Sequence, residues 1–239
     1  MENRAGRRMG ECVYCGKYRP LSRDHIPPAN LFSAPRPGDL ITVPSCDACN
    51  NAASKDDEYF RLAVTAGINP TEFPNEFALS IKAIRKLGMP QKRGLAKMML
   101  TSFTKVPVYS RGGLYLGNAG SLSLDIARIQ RAVDRIIRGL FYHHMNKRLP
   151  TTGSVSIFSD WFDPILPEEL RDRVETASEF LRSVEPIVVG SGVFCYRYRI
   201  IEDEAYGSIW WLSFYDHRRF LCSTKCDVEP AKTLVNTQR

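Results

Sequence analysis

The period of the apolar positions changes along this chain, and the changes mark its elements. Ile126, Ile129, Val133, Ile136, Ile137 and Leu140 recur at three- and four-residue steps, so one face of a helix carries them all. This stretch, SLSLDIARIQRAVDRIIRGLFYHHMNKRL, is the longest helical pattern in the sequence. NEFALSIKAIRKLG repeats the spacing with Phe77, Ile81 and Ile84 and reaches a natural stop at Gly88. QKRGLAKMMLTSF and PEELRDRVETASEFLRSV predict two further helices. Short apolar or alternating runs, SVSIF, GVFCYRYRIIE, GSIWWLSFYD and RRFLCST, predict strands instead. In VPVYSRGGLYLGN a Gly-Gly pair separates two such runs, a hairpin signal.

The first part of the chain reads differently. Pro27, Pro28, Pro35, Pro37 and Pro44 exclude a long helix there. DLITVPSC predicts a short strand, and a helix follows from about Asp47, its expected N-cap, to Ala66. The resulting order is hairpin, loop, strand, helix. The fold class expected is α+β, in three segments: a cysteine-bearing module over residues 1–66, a mainly helical basic region over 67–150, and an α+β part with antiparallel strands over 151–239. No internal repeat or low-complexity stretch interrupts them.

Charge sharpens this division. The whole chain carries a net +7, but residues 71–150 alone hold 14 Lys/Arg against 4 Asp/Glu. The last segment is acidic on balance. A basic middle attracts polyanions, nucleic acid first. On the long helix Arg128, Arg131, Arg135 and Arg138 follow a 3-4-3 spacing and share a face, where each could meet a phosphate. Lys82, Arg85, Lys86, Lys92, Arg93 and Lys97 add to the same region. No run of about 18 apolar residues predicts a membrane span. MENRAGRRMGEC has no apolar stretch of the secretory kind, so a cytoplasmic location is expected.

Seven cysteines cannot all pair with one another. Cys12 and Cys15 form one CxxC, and Cys46 and Cys49 a second. Two such knuckles supply four thiolates, the set that closes a tetrahedral structural Zn²⁺ site. Cys195, Cys222 and Cys226 read as thiols in or near a core.

Between the knuckles stands SRDHIPPANLF, with Asp24 directly before His25. Adjacent strand residues point to opposite faces. Asp24 can then hold a metal ion while His25 addresses a water from the other side. Asn50 follows the last cysteine and offers an amide oxygen. Oxygen ligands of this kind suit Mg²⁺ or Mn²⁺. Lys55, Asp56, Asp57 and Glu58 read as a solvated helix face, from which one acid could join the ion.

The combination CVYC…SRDHIPP…LITVPSCDACNNAASK resembles the HNH endonuclease family over roughly residues 10–66. The resemblance implies a ββα-metal fold stiffened by zinc knuckles. It implies His25 as general base, Asp24 and Asn50 as ligands of a catalytic Mg²⁺ or Mn²⁺, and hydrolysis of phosphodiesters in nucleic acid. The family's middle Asn, which orients the base, has no clean counterpart: Asp39 and Asn30 are the two options. The alternative is a zinc-ribbon nucleic-acid-binding or regulatory protein that hydrolyses nothing. His143 and His144 read as helix-end imidazoles facing the helix dipole. The aromatics Tyr196, Tyr198, Trp210, Trp211, Phe214 and Tyr215 read as strand residues packed mainly in a core, and the C-terminal segment as a surface for self-association or a protein partner.

Overall fold

The computed structural model describes residues 8–66, 68–161 and 168–226. The first seven residues, most of the stretch read above for a leader, lie outside them. Strands β1 (Met9–Glu11), β2 (Tyr18–Ile26) and β3 (Ile41–Cys46) form an antiparallel sheet in the order β1-β2-β3. Helix α1 (Asp47–Thr65) starts directly after β3. Its N-cap is Cys46, without a side-chain cap bond, and Asp47 is the acid of the first turn. The expected Asp47 cap therefore falls one residue late: Cys46 is still extended, and its thiol belongs to the cysteine cluster.

Helices α2 (Pro74–Lys86) and α3 (Arg93–Ser102) follow, then the two-stranded hairpin β4 (Phe103–Tyr109) and β5 (Tyr115–Leu122). The hairpin turns where the Gly-Gly signal placed it. Every residue of β4 is exposed, so this ribbon stands off the core. Helix α4 (Ile126–Met145) begins at Asp125, whose carboxylate accepts from the Arg128 backbone N–H at 3.3 Å. It ends at Asn146, which takes the left-handed conformation with φ 48°.

The last part forms a second antiparallel sheet from β6 (Ser154–Phe158), β7 (Ile187–Val189), β8 (Phe194–Ile200), β9 (Ser208–Phe214) and β10 (Arg218–Lys225), in the order β6-β10-β9-β8-β7. Helix α5 (Glu168–Arg182) packs against β8 and β9.

Helix α4 binds these parts together. Its stripe of Ile129, Val133, Ile136, Ile137 and Leu140 is fully buried, as the 3.6-residue period requires. The same continuous core takes in Val13, Ile26 and Val43 from the first sheet, Phe60 and Val64 from α1, and Phe194, Tyr196, Trp210 and Phe214 from the second. Phe60 meets Phe214 edge-on with ring centres 5.1 Å apart. One position shows how close α4 lies to β2: a Cβ on Gly139 would fall 2.5 Å from Ile26 Cγ1. The core thus runs across the segment boundaries near residues 66 and 150 without interruption.

Candidate metal centre and the arginine beside it

The first CxxC forms a tight turn after β1. Gly16 N–H donates to Cys12 O at 2.9 Å, and Gly16 takes φ +68°, a conformation open to glycine and strained for other residues. The second pair straddles the junction of β3 and α1. The sulfurs of Cys12, Cys15, Cys46 and Cys49 all lie within 4.8 Å of one another, with Cys15 and Cys46 at 3.9 Å. A tetrahedral Zn²⁺ with bonds near 2.3 Å needs sulfurs roughly 3.8 Å apart, so the cluster has the right size for such an ion. Its electrostatics agree. Burial resists ionisation of Cys12, but the backbone N–H groups around it outweigh burial and bring the thiol down to about 6. Burial pushes Cys49 up, and its neighbours Cys46 and Cys15 push it further. A divalent ion removes that conflict by stabilising all four thiolates together.

Asp24 and His25 both lie on β2, opposite Val43 and Thr42 of β3. The pleat turns Ser22, Asp24 and Ile26 to the helix side and leaves His25 on the other face. His25 is half-buried, and among the described residues no hydrogen bond reaches its ring. Neither option for an orienting residue touches it. Asp39 accepts from Gly190 N–H at 3.1 Å and ties its loop to the second sheet. Asn30 donates to the Asp57 carbonyl at 3.1 Å, while its Oδ1 is buried without a partner.

Asp24 and Asn50 do converge. Ser22 Oγ donates to Ser45 O at 3.1 Å and accepts from Asn50 Nδ2 at 3.0 Å. That bond fixes the amide so that Asn50 Oδ1 faces Asp24. Between them lies the guanidinium of Arg135. Its Nη2 donates to Asp24 Oδ2 at 2.7 Å and to Asn50 Oδ1 at 2.8 Å, and its Nη1 donates to Cys49 O at 3.2 Å. The same group lies 3.8 Å over the ring of Tyr14. Tyr14 Oη also donates to Asp24 Oδ2, at 2.6 Å. Burial raises the Tyr14 pKa well above the ordinary tyrosine value, which keeps it a donor. The side chains of Arg135 and Asp24 are 12% and 15% exposed, so this pair is largely withdrawn from water.

Asp57 stands two helical turns beyond Asn50 on the same face of α1. Burial lifts its carboxyl to about 6, with Arg135 pulling it down and Asp24 pushing it up. Its Oδ1 is buried and has no partner. The other two acids of the cluster are engaged: Asp56 by Arg131 at 2.6 Å and Arg128 at 3.7 Å, and Glu58 by Lys92 at 2.5 Å. Asp57 is therefore half-buried, with one oxygen withdrawn from water, rather than part of a solvated face.

The four helix arginines expected to meet phosphates, Arg128, Arg131, Arg135 and Arg138, each pair with a carboxylate of the protein. Arg138 pairs with Asp134 at 2.8 Å and caps the carbonyls of Pro150 and Gly153. His144 Nε2 lies 2.9 Å from Tyr196 Oη, and its ring stacks on Tyr198 at 4.2 Å. Burial, aided by His143, drops its pKa to about 4, so it is a neutral ring rather than a positive helix end.

The oxygens of Asp24 and Asn50 are the hard donors that Mg²⁺ or Mn²⁺ selects, and the unpartnered Asp57 oxygen lies nearby. Ser22 and Tyr14 are contributors that sequence reasoning missed, and Arg135, read there as a phosphate contact, was not placed beside Asp24 and Asn50. A period-2 step back from Asp24 could have flagged Ser22; nothing local pairs Arg135 with Asp24, 111 residues away. Comparison with protein families, curated proteins and solved structures gives no match. Among the described residues, no helix is long and apolar enough to cross a membrane.

Proposed function

We propose that this chain is a metal-dependent endonuclease of the HNH type, with β2, β3 and α1 as a ββα-metal module, hydrolysing phosphodiesters in nucleic acid, DNA ahead of RNA. One observation carries the reading: Asp24 Oδ2 and Asn50 Oδ1, from different elements, close on a single cationic nitrogen at 2.7 and 2.8 Å. The two oxygens are already gathered around positive charge. The four cysteines support it by pinning β3 and α1, and hence Asn50, against the first sheet. Asp24 and Asn50 would hold Mg²⁺ or Mn²⁺, which stabilises charge on the phosphate and leaving oxygen when bound. His25, free of other hydrogen bonds among the described residues, takes the proton from the attacking water.

Support for the nucleic-acid partner comes from α2, α3 and the hairpin. No Asp or Glu occurs between Glu76 and Asp125. Lys82, Arg85, Lys86, Arg93, Lys97, Lys105 and Arg111 are all exposed there. Among the described residues none of the seven has an ion pair or side-chain hydrogen bond. Such charge is available to phosphates, in contrast to the paired arginines of α4.

A non-hydrolytic zinc-ribbon binder is the second reading, favoured by Arg135 in the cation position and by the lack of an orienting partner for His25. The test is incubation of plasmid DNA with Mg²⁺, Mn²⁺ or EDTA. Cleavage that requires the ion and is lost in His25→Ala supports the enzyme. Binding without cleavage under every condition supports the binder, and cleavage unchanged in His25→Ala removes His25 as base.

A further inference from the structure

We propose that Arg135 is the resident cation of the Asp24–Asn50 site, and that a divalent ion binds there only when the guanidinium moves away to Asp57. The inference rests on the reading that this oxygen pair is a metal site; it adds what controls entry.

The present seat of Arg135 is well defined. Two donors of one fork engage Asp24, Asn50 and the Cys49 carbonyl, and the plane lies on Tyr14. A lysine could not reproduce that set, because an ammonium is a point charge without a planar fork. The two oxygens that would bind a metal are the two that Nη2 uses. A guanidinium and a divalent ion would stand within a few ångströms in a largely buried site, where like charges repel strongly. The two occupants therefore exclude one another.

The structure also offers a place for the displaced side chain. Arg135 and Asp57 both line a groove of about 740 Å³ between α1, α4 and β6. Three carboxylates stand on its walls: Asp56, Asp57 and Asp134. Asp56 already holds Arg131 and Arg128, and Asp134 holds Arg138. Asp57 alone has a buried oxygen without a partner. Moving Arg135 from Asp24 to Asp57 keeps it paired and frees both metal-binding oxygens. The site then has a closed state with arginine inside and an open state with the ion inside.

The experiment titrates Mn²⁺ into the full chain, with its four cysteines loaded with zinc, and follows free Mn²⁺ by electron paramagnetic resonance. Native protein, Arg135→Met, Arg135→Met with Asp24→Asn, and Asp57→Asn are compared. Arg135→Met should bind one Mn²⁺ at least tenfold more tightly than native, and its melting temperature should rise with Mn²⁺. Adding Asp24→Asn should abolish both responses. Asp57→Asn should weaken Mn²⁺ binding relative to native, since the arginine has lost its second seat. Equal affinity in native protein and Arg135→Met overturns the proposal, as does tight binding that survives Asp24→Asn. If Arg135→Met does not fold, Arg135→Lys serves: it should bind Mn²⁺ more tightly than native, and an unchanged affinity overturns the proposal. These readouts do not require cleavage. The expected Mn²⁺ behaviour without nuclease activity in any variant sinks the nuclease reading alone; plasmid cleavage with equal affinities sinks the arginine switch alone.

Discussion

Two basic regions of this protein, alike in composition, differ in what their charge can do. On α4, Arg128, Arg131, Arg135 and Arg138 each face a carboxylate within 3.7 Å. On α2, α3 and the hairpin, seven exposed cations stand in a stretch without one acidic residue. The first set is paired within the molecule, while among the described residues the second has no ion pair. Net charge over residues 71–150 counts both equally, yet only unpaired charge attracts a ligand at long range.

The sharpest challenge to this comparison is Arg135→Met. It leaves the Asp24 carboxylate buried beside Tyr14 without its cation, and we expect a loss of about 3 kcal/mol in urea unfolding. A loss below about 1 kcal/mol would place Arg135 among ordinary surface charges. The complementary change is Lys97→Ala, Lys105→Ala and Arg111→Ala together. Stability should be unchanged, while DNA affinity at 0.1 M salt falls on the order of a hundredfold and the slope of log K against log salt drops by about 2.7. An unaltered slope would move the nucleic-acid surface elsewhere.

A third basic group on α4 sharpens the contrast through pH. His144 has a folded pKa near 4 against an ordinary 6.5. Between those values the unfolded chain binds more protons, so stability should be fully present above about pH 6.5 and fall as pH drops toward 4. A full shift of this size converts to roughly 3 kcal/mol, reduced to about 1–2 because the ring is only half-buried. His144→Phe should flatten this part of the pH–stability curve; an undiminished slope would place the titrating group elsewhere. Smallest is Arg131→Ala. Its side chain is 57% exposed, so loss of the Asp56 pair should cost under about 1 kcal/mol.

The pattern of apolar positions located most elements because the buried stripe of α4 and the alternation of β8 and β9 are local periodicities. It did not show β7, three residues long, whose place depends on pairing with β8. The site was legible to a similar depth. Cys12, Cys15, Cys46 and Cys49 announce themselves because two-residue spacers fit a knuckle wherever it occurs. Asp24 and Asn50 were legible as oxygen donors framed by those cysteines.

What the sequence by itself determined is the inventory and its local geometry: four thiols in two knuckles, Asp24 and His25 on opposite faces of one strand, and an arginine face on one long helix. Tertiary structure decided which of these groups meet. Gly139 lets α4 settle against Ile26 at the end of β2, and that approach delivers Arg135 between Asp24 and Asn50. It paired the arginine face with carboxylates, withdrew one Asp57 oxygen from water and lowered the His144 pKa. The physical reason is that periodicity fixes which face a side chain occupies, whereas pairing and burial, which set its charge state, depend on what the fold packs against that face.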